Sequence, residues 1–443
     1  MGMKVKLKPI LIFSFILIII VFAYIVFSPI IFKTVHLKAI LYSIGKFMGM
    51  LGFLSLSILV ISGDFARHLD RFIGIDKIIK FQRKFALIST VIVLLHPIFF
   101  KLSGLPFAFV LIPSAKAIPL AFGIISLYLF IIIEICSRLY KRISYNSWQF
   151  IHILIYVLFM FVLYHAINNG SDAGSIFLRV LYLTAFVLFV IGIILRTSYK
   201  IKQRKNRFVV QDVKWNTKNT FTVTIKPSKE FYFKAGQFCF LRLNKDNLYA
   251  RHPFTISSSP DEEVLRFTIK QSGRFTEATS RLKKGEEVKI EGPFGRFTIE
   301  DNSKNLVFIA GGVGITPFMS ILNEIFNRKN NLQDNKNKHK MILLYGSKTK
   351  QDIIFKEEID KIKNKCFSKV YVLSRNKNQK EKGYWLGYIN EEIIKKYAKK
   401  QGIELKDALF YICGPEPMKQ SINQILSQLG VDNSSIFIED FFW

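Results

Sequence analysis

Cysteine is scarce in this sequence: four residues in 443, at Cys136, Cys239, Cys366 and Cys413, and no CxxC pair. None falls in a segment expected on the outer side of a membrane, so neither a disulfide framework nor an iron–sulfur site is supported. Acidic residues are also few, 32 against 63 Lys and Arg, which leaves a formal charge of +31. Such an excess would suit nucleic acid, but no finger, basic helix or stacking platform accompanies it. Much of it sits beside apolar runs and in lysine-rich stretches such as residues 327–340. That placement suits a surface next to anionic lipid. The plain GxGxxG fingerprint of a dinucleotide fold is missing as well.

What is abundant is apolar sequence. Half of the residues are hydrophobic, and they crowd into the first 196. Runs near 20 residues mark membrane spans. Six are expected, at about 8–30, 47–63, 84–103, 117–136, 148–168 and 177–196. The second is diluted by Gly52, Ser55 and Ser57. "MKVKLK" precedes the first run, which is too long for a signal peptide and lacks a clean small-residue cleavage site, so a retained span is expected. Six spans put both chain ends on one side. The loop 64–84 carries Arg67, Arg71, Lys77, Lys80, Arg83 and Lys84, and the loop 137–147 carries Arg138, Lys141 and Arg142. More basic residues follow the last span, whereas the loop 169–176 has no Lys or Arg. This asymmetry predicts a multi-pass protein of the cell membrane with both termini cytoplasmic.

Three of the seven histidines, His96, His152 and His165, fall inside expected spans. An imidazole there is uncommon and usually functional. At 1.5 Å per residue, His96 sits about 18 Å along the third span, with His152 and His165 about 6 Å and 25 Å along the fifth. His96 and His165 can therefore meet in the outer half. Facing imidazoles suit a b-type haem, which needs no cysteine, better than a bare metal ion, which would want more polar ligands. On an ideal helix, His152 and His165 point about 140° apart, so their spacing alone is a weak signal.

From residue 207 to 301 short strands such as "FTVTIK" and "QFCFLRL" are punctuated by Gly and Pro, which predicts a small antiparallel barrel. "RHPFTISSSP" (251–260) offers Arg251 or His252 to a pyrophosphate, Phe254 to a flat ring and Thr255 to a ring nitrogen. "IKQSGRFT" (269–276) adds Gly273 at a helix start suited to phosphate. From residue 305 the pattern becomes strand, glycine turn, helix. Gly311, Gly312 and Gly314 let backbone close on a pyrophosphate, and Thr316 and Pro317 open a helix whose N-terminus favours anions. "MILLYGS", "VYVLS" and "LFYICG" continue an open α/β sheet. Cys413 reads as packing near a nicotinamide ring, since no motif places a base beside it.

"HPFTISS", "GPFG", "AGGVGITP" and "CGPEPM" resemble the flavin and nicotinamide motifs of the ferredoxin–NADP reductase type. With spans and intramembrane histidines in front, the chain resembles the ferric reductase and NADPH oxidase family over roughly residues 45–443. The resemblance implies a multidomain membrane protein: a six-helix transmembrane haem-binding bundle (1–200), an antiparallel β-barrel FAD domain (205–302) and an open α/β nucleotide-binding domain (303–443). It implies that His252, Phe254 and Thr255 contact FAD, with Arg251 beside them, and that Gly273 and Thr276 form the flavin phosphate turn. Gly311, Gly312, Gly314, Thr316 and Pro317 would form the nicotinamide-nucleotide loop. Cys413, Gly414 and Pro415 would lie beside the nicotinamide. Ser374 and Arg375 match a pair that reads the 2′-phosphate of NADPH, and Phe441, or its neighbours Phe442 and Trp443, would cover the flavin. Thr255, Cys413 and Phe441 are thus the residues nearest the hydride chemistry.

In one respect the sequence departs from the family pattern. A fourteen-residue step back from His96 lands on Gln82, where an inner haem ligand is expected. The implied count is one haem b between His96 and His165, and a second only if His152 finds another partner such as His68. The implied activity is electron transfer from cytoplasmic NADPH through FAD and haem to an outer-face acceptor, with ferric iron or a chelate foremost. Oxygen (a superoxide-generating oxidase), a quinone or an outer redox protein are the other acceptors, and a non-enzymatic scaffold with a degenerate reductase tail is a reading of another class.

Overall fold

A computed structural model describes residues 17–24, 26, 36–140, 142–169, 174–243, 248, 250–299, 304–326, 339–375 and 383–439. The chain packs as two compact units. One comprises residues up to Leu69 together with Lys77–Lys200, the other Asp70–Asp76 together with Ile201 onward.

In the first unit, five helices among the described residues are long and apolar enough to cross a membrane: Leu37–Asp64, Ile75–Leu102, Ile118–Arg138, Tyr145–Asn169 and Ile176–Gln203. Most of the expected first span, 8–30, lies outside the described residues. The helix Leu37–Asp64 begins ten residues before the expected span at 47. Lys38 and Lys46 lower its hydropathy there without interrupting the helix, because lysine stems lie along apolar surface. The fifth expected span is not one straight helix. A turn at Leu154 separates Tyr145–Ile153 from Ile155–Asn169. Ideal-helix angles therefore do not relate His152 to His165. Aromatic rings fill the bundle core: Phe53 meets Tyr182 edge-on at 4.9 Å, and Phe159 stacks on Phe189 at 4.5 Å.

The second unit holds two six-stranded sheets. The first has the order β4-β3-β6-β1-β2-β5, with β1 Phe208–Thr217, β2 Thr220–Pro227, β3 Phe238–Arg242, β4 His252–Thr255, β5 Leu265–Lys270 and β6 Glu287–Phe294. Its pairings are antiparallel. The two outermost strands of that order also approach each other, through a bridge between Ile256 and Phe267 and a Ser257 amide donated to Arg266. Alternation along β1 and β5 sends Phe208, Val210, Leu265, Phe267 and Ile269 into one apolar core.

The second sheet has the order β10-β9-β8-β7-β11-β12, with β7 Leu306–Gly311, β8 Met341–Ser347, β9 Phe367–Leu373, β10 Tyr384–Leu386, β11 Leu409–Cys413 and β12 Ile436–Ile438. All pairings are parallel. The central strands are continuous apolar runs because a core packs on each face. Such a sheet presents its ligand loops at the carboxyl ends of its strands.

Candidate functional site

In the membrane unit, the structure brings His96 and His165 together. Their ring centres lie 6.4 Å apart with planes at 78°. His96 Nδ1 is 2.8 Å from the Gly45 carbonyl, and His165 Nδ1 is 2.9 Å from the Pro119 carbonyl. A carbonyl can only accept, so each Nδ1 carries the proton and each neutral ring keeps its Nε2 lone pair for a ligand. Two metal–nitrogen bonds of about 2 Å, set nose to nose, leave imidazole centres about 6 Å apart. Both rings line a cavity of about 310 Å³.

Glycines make room for them. A Cβ on Gly49 would lie 2.5 Å from His96, and a Cβ on Gly123 would lie 2.5 Å from His165. These rings are pinned by their Nδ1 bonds, so neither is free to yield. Among the described residues no group of three or more His, Cys, Asp or Glu is arranged to hold a bare metal ion. The donor set, two neighbouring imidazoles in a mostly apolar cavity, fits a b-type haem.

His152 is placed elsewhere. Its ring stacks on Trp148 at 5.0 Å and 13°. Gln82 is committed to a neighbouring helix, its amide donating to the Leu59 carbonyl at 3.3 Å and the Ser62 hydroxyl at 3.0 Å. His68 sits on the short helix Ala66–Ile73. A network that sequence reasoning missed ties three helices together: Tyr156 donates to Asp64 Oδ1 at 2.5 Å, and Arg196 donates to Asp64 at 3.0 Å and to the Tyr156 oxygen at 2.7 Å. An Asp and an Arg at the ends of two apolar runs were the available signal, but their pairing spans 132 residues.

In the reductase unit, the motif 251–260 begins β4. Thr255 is buried, and its Oγ1 has no hydrogen-bond partner among the described residues. An orphaned hydroxyl is costly, which fits a ligand that bonds it. His252 stacks on Phe275 at 3.9 Å, and Phe254 lies nearly parallel to Phe275 at 6.0 Å. Burial holds the His252 imidazole below its ordinary range, so it is neutral near pH 7 and Arg251 is the cation of the pair. Arg251 lies 3.5 Å from Glu291, which Arg242 approaches at 2.7 Å. Thr276 lies in the turn with Gly273. Its hydroxyl accepts the Ser272 and Gly273 amides, so it shapes the turn. Gly273 has open space where a Cβ would sit.

The glycine turns serve two purposes. Gly312 has φ +54° with nothing within 4 Å of a would-be Cβ. Gly314 instead presses against the Cys413 carbonyl, 2.3 Å from its would-be Cβ, and Gly414 against Gly311 at 3.0 Å. These two glycines let the turns after β7 and β11 pack backbone to backbone, while Gly312 leaves its face open. Buried Tyr345, which sequence reasoning also missed, donates to the Gly312 carbonyl at 3.1 Å and holds the turn. Thr316 and Pro317 begin the buried helix Thr316–Phe326, and Pro415 caps the helix Glu416–Gln428. Cys413 is buried at the end of β11. The Ser374 and Arg375 amides extend the β9–β8 pairing to Ser347 and Lys348, at the same carboxyl edge. Phe441, Phe442 and Trp443 lie outside the described residues.

Comparisons with known proteins converge on this layout. The model of the ferric reductase like transmembrane component matches residues 48–163, that of an FAD-binding domain residues 205–343, and that of an oxidoreductase NAD-binding domain residues 308–424. The chain thus has the architecture of a membrane oxidoreductase, with an FAD-binding and an NAD-binding domain. More narrowly, the chain is a ferric-reductase-like transmembrane domain fused to a reductase module of the ferredoxin–NADP reductase type.

A component of the Na(+)-translocating NADH-quinone reductase of Methylococcus capsulatus is 33% identical over 162 residues, 36% of this chain and 38% of that protein. Its counterpart from Actinobacillus pleuropneumoniae is 30% identical over 228 residues, 48% and 54% of the two chains. The chain thus spans about half or less of the length of these relatives. Among solved structures, the flavohemoglobin of Malassezia yamatoensis aligns with TM-score 0.49 at 17% identity, over 93% of this chain and all of that one. A ferredoxin NADP+ reductase from Neisseria gonorrhoeae aligns with TM-score 0.45 at 22% identity, over 54% of this chain and 98% of that one.

Proposed function

We propose that the chain carries electrons from cytoplasmic NADPH, through FAD and one haem b, to an acceptor on the outer face, foremost ferric iron or its chelate. The observation that carries the reading is the pair His96 and His165, each with Nδ1 spent on a backbone carbonyl, in one apolar cavity. Bound FAD supplies the exchange of a two-electron hydride for single electrons, and bound haem b carries them singly.

The residues hold these groups in place. His96 and His165 present Nε2 to the iron. Thr255 bonds the flavin ring with its otherwise unpaired hydroxyl, Phe254 packs along it, and Arg251 counters pyrophosphate charge. Gly273 leaves room at the flavin phosphate turn that Thr276 shapes. Gly312 offers backbone to the nicotinamide nucleotide at the mouth of the helix opened by Thr316 and Pro317, and Cys413, Gly414 and Pro415 border the nicotinamide. We place the domain boundaries at 1–200, 205–302 and 303–443. Both termini are assigned to the cytoplasm from the basic loops.

The experiment that tests the reading is anaerobic addition of NADPH to purified protein, with flavin and haem absorbance followed together. Both are expected to bleach or shift to the reduced form, and ferric chelate should then reoxidise the haem. Haem that stays oxidised while the flavin is reduced defeats the proposal.

Nucleotide choice rests on Ser374 and Arg375. A charge-assisted contact to the 2′-phosphate contributes roughly 1.5–3 kcal/mol. Arg375→Ala should therefore raise KM for NADPH by about ten- to a hundredfold and leave KM for NADH within about twofold. Equal changes for both nucleotides would reject the assignment.

A further inference from the structure

Among the described residues Lys419 is the one buried lysine or arginine, with 8% of its side chain exposed. Lysine is almost never buried unless it is paired. It stands one turn into the helix Glu416–Gln428, at the end where a cation gains nothing from the helix dipole. Its Nζ lies 2.8 Å from the Glu416 carboxylate, but that side chain is 60% exposed. An ion pair with a solvated partner contributes little. A second bond goes to the backbone: Nζ donates to the Glu439 carbonyl at 3.3 Å.

Glu439 comes directly after β12. The parallel register sets Ile412 beside Ile438, and the Glu439 amide donates to the Ile412 carbonyl at 3.0 Å. In the same strand pair Tyr411 and Phe437 stack at 4.7 Å and 10°. The pairing therefore brings Glu439 level with Cys413, and Lys419 holds the backbone there. The segment 440–443 follows, and its aromatic residues are those that the family resemblance expects over the flavin. Phe441 is two residues beyond Glu439, a reach of about 7 Å at most, so whatever fixes Glu439 restricts where that ring can go. We propose that Lys419 is a positioning residue that anchors the segment after β12 beside the nicotinamide pocket and so holds its aromatic residues over the flavin. This rests on the reading above, in which Cys413, Gly414 and Pro415 border the nicotinamide. Lys419 acts through the backbone of Glu439, not by contact with either cofactor.

The test uses the full chain loaded with FAD. An aromatic ring stacked on a flavin quenches its fluorescence, so the brightness of bound flavin reads whether the segment is in place. Lys419→Met keeps the length of the side chain and removes its charge. The ratio of docked to released segment should fall by about tenfold, the size expected for one hydrogen bond from a charged group. Fluorescence should rise toward that of a chain ended after Asp440. Lys419→Met placed in that shortened chain should change nothing further, because two changes that act through one element are not additive. Lys419→Arg should restore the quenching. All the variants should bind adenosine 2′,5′-bisphosphate as the unaltered chain does, since Ser374 and Arg375 are assigned to that end of the nucleotide. A Lys419→Met chain or a shortened chain as dark as the unaltered one overturns the inference, as does an effect of Lys419→Met that adds in full to the shortening. Loss of FAD from Lys419→Met in both backgrounds also overturns it, because the lysine then acts on the fold and not on the segment. Failure of NADPH to reduce the flavin of the unaltered chain overturns instead the reading on which the inference rests.

Discussion

His96→Ala and His165→Ala chains are expected to retain essentially no haem, whereas His152→Ala should keep the full complement of one per chain. Either outer substitution removes one of the two imidazoles and leaves a cavity lined mostly by apolar groups, with no third histidine among the described residues that line it. His152 is instead packed face to face on Trp148. Gln82, at the position of an inner ligand, is bonded to Leu59 and Ser62. Pyridine haemochrome against protein concentration measures the ratio. NADPH oxidation by a soluble dye, which draws electrons from the flavin, should survive in all three variants, while ferric chelate reduction should fall by about 10³-fold or more in the two outer ones. Two haems per chain, with one lost on changing His152, would reject the single-haem assignment.

The second large effect concerns stability. Asp64→Ala should destabilise the membrane unit by about 3–5 kcal/mol, because it leaves Arg196 without its carboxylate. The Asp64 side chain is 2% exposed, against 30% for Arg196, so the carboxylate is the better shielded partner. An apparent melting temperature lower by on the order of 10 °C is the expected reading. The double variant Asp64→Leu with Arg196→Met should recover most of that loss, since an apolar pair of similar volume is often as stable as a buried ion pair. Thermal unfolding followed by haem absorbance distinguishes the cases. If Asp64→Ala unfolds with the unaltered chain, the network contributes nothing.

The reductase half was legible as an FAD-binding and a nucleotide-binding module because its motifs are contiguous. Strand, turn and helix there follow from local periodicity and from Gly and Pro. The bend at Leu154 had no such signal, since neither residue is near it. The roles of individual glycines were only partly legible. Gly312 is in the left-handed region, which its place in a glycine turn made readable. Gly314 and Gly414 are small because two loops, about a hundred residues apart in sequence, press together. The bonds by which Thr276 holds its turn, to the Ser272 and Gly273 amides, had no signal in the motif.

The sequence by itself determined that the chain enters a membrane, where basic residues flank it, and that a nucleotide-binding reductase follows. Those features depend on local free energies: apolar runs of sufficient length and backbone groups that must be satisfied within the run. Tertiary structure alone decided that Gly49 and Gly123 admit the rings of His96 and His165, and that Gln82 is occupied. It also decided that Asp64, Tyr156 and Arg196 close on one another. Each of these is a contact between distant segments, and its geometry is set by how helices pack, which no local pattern encodes.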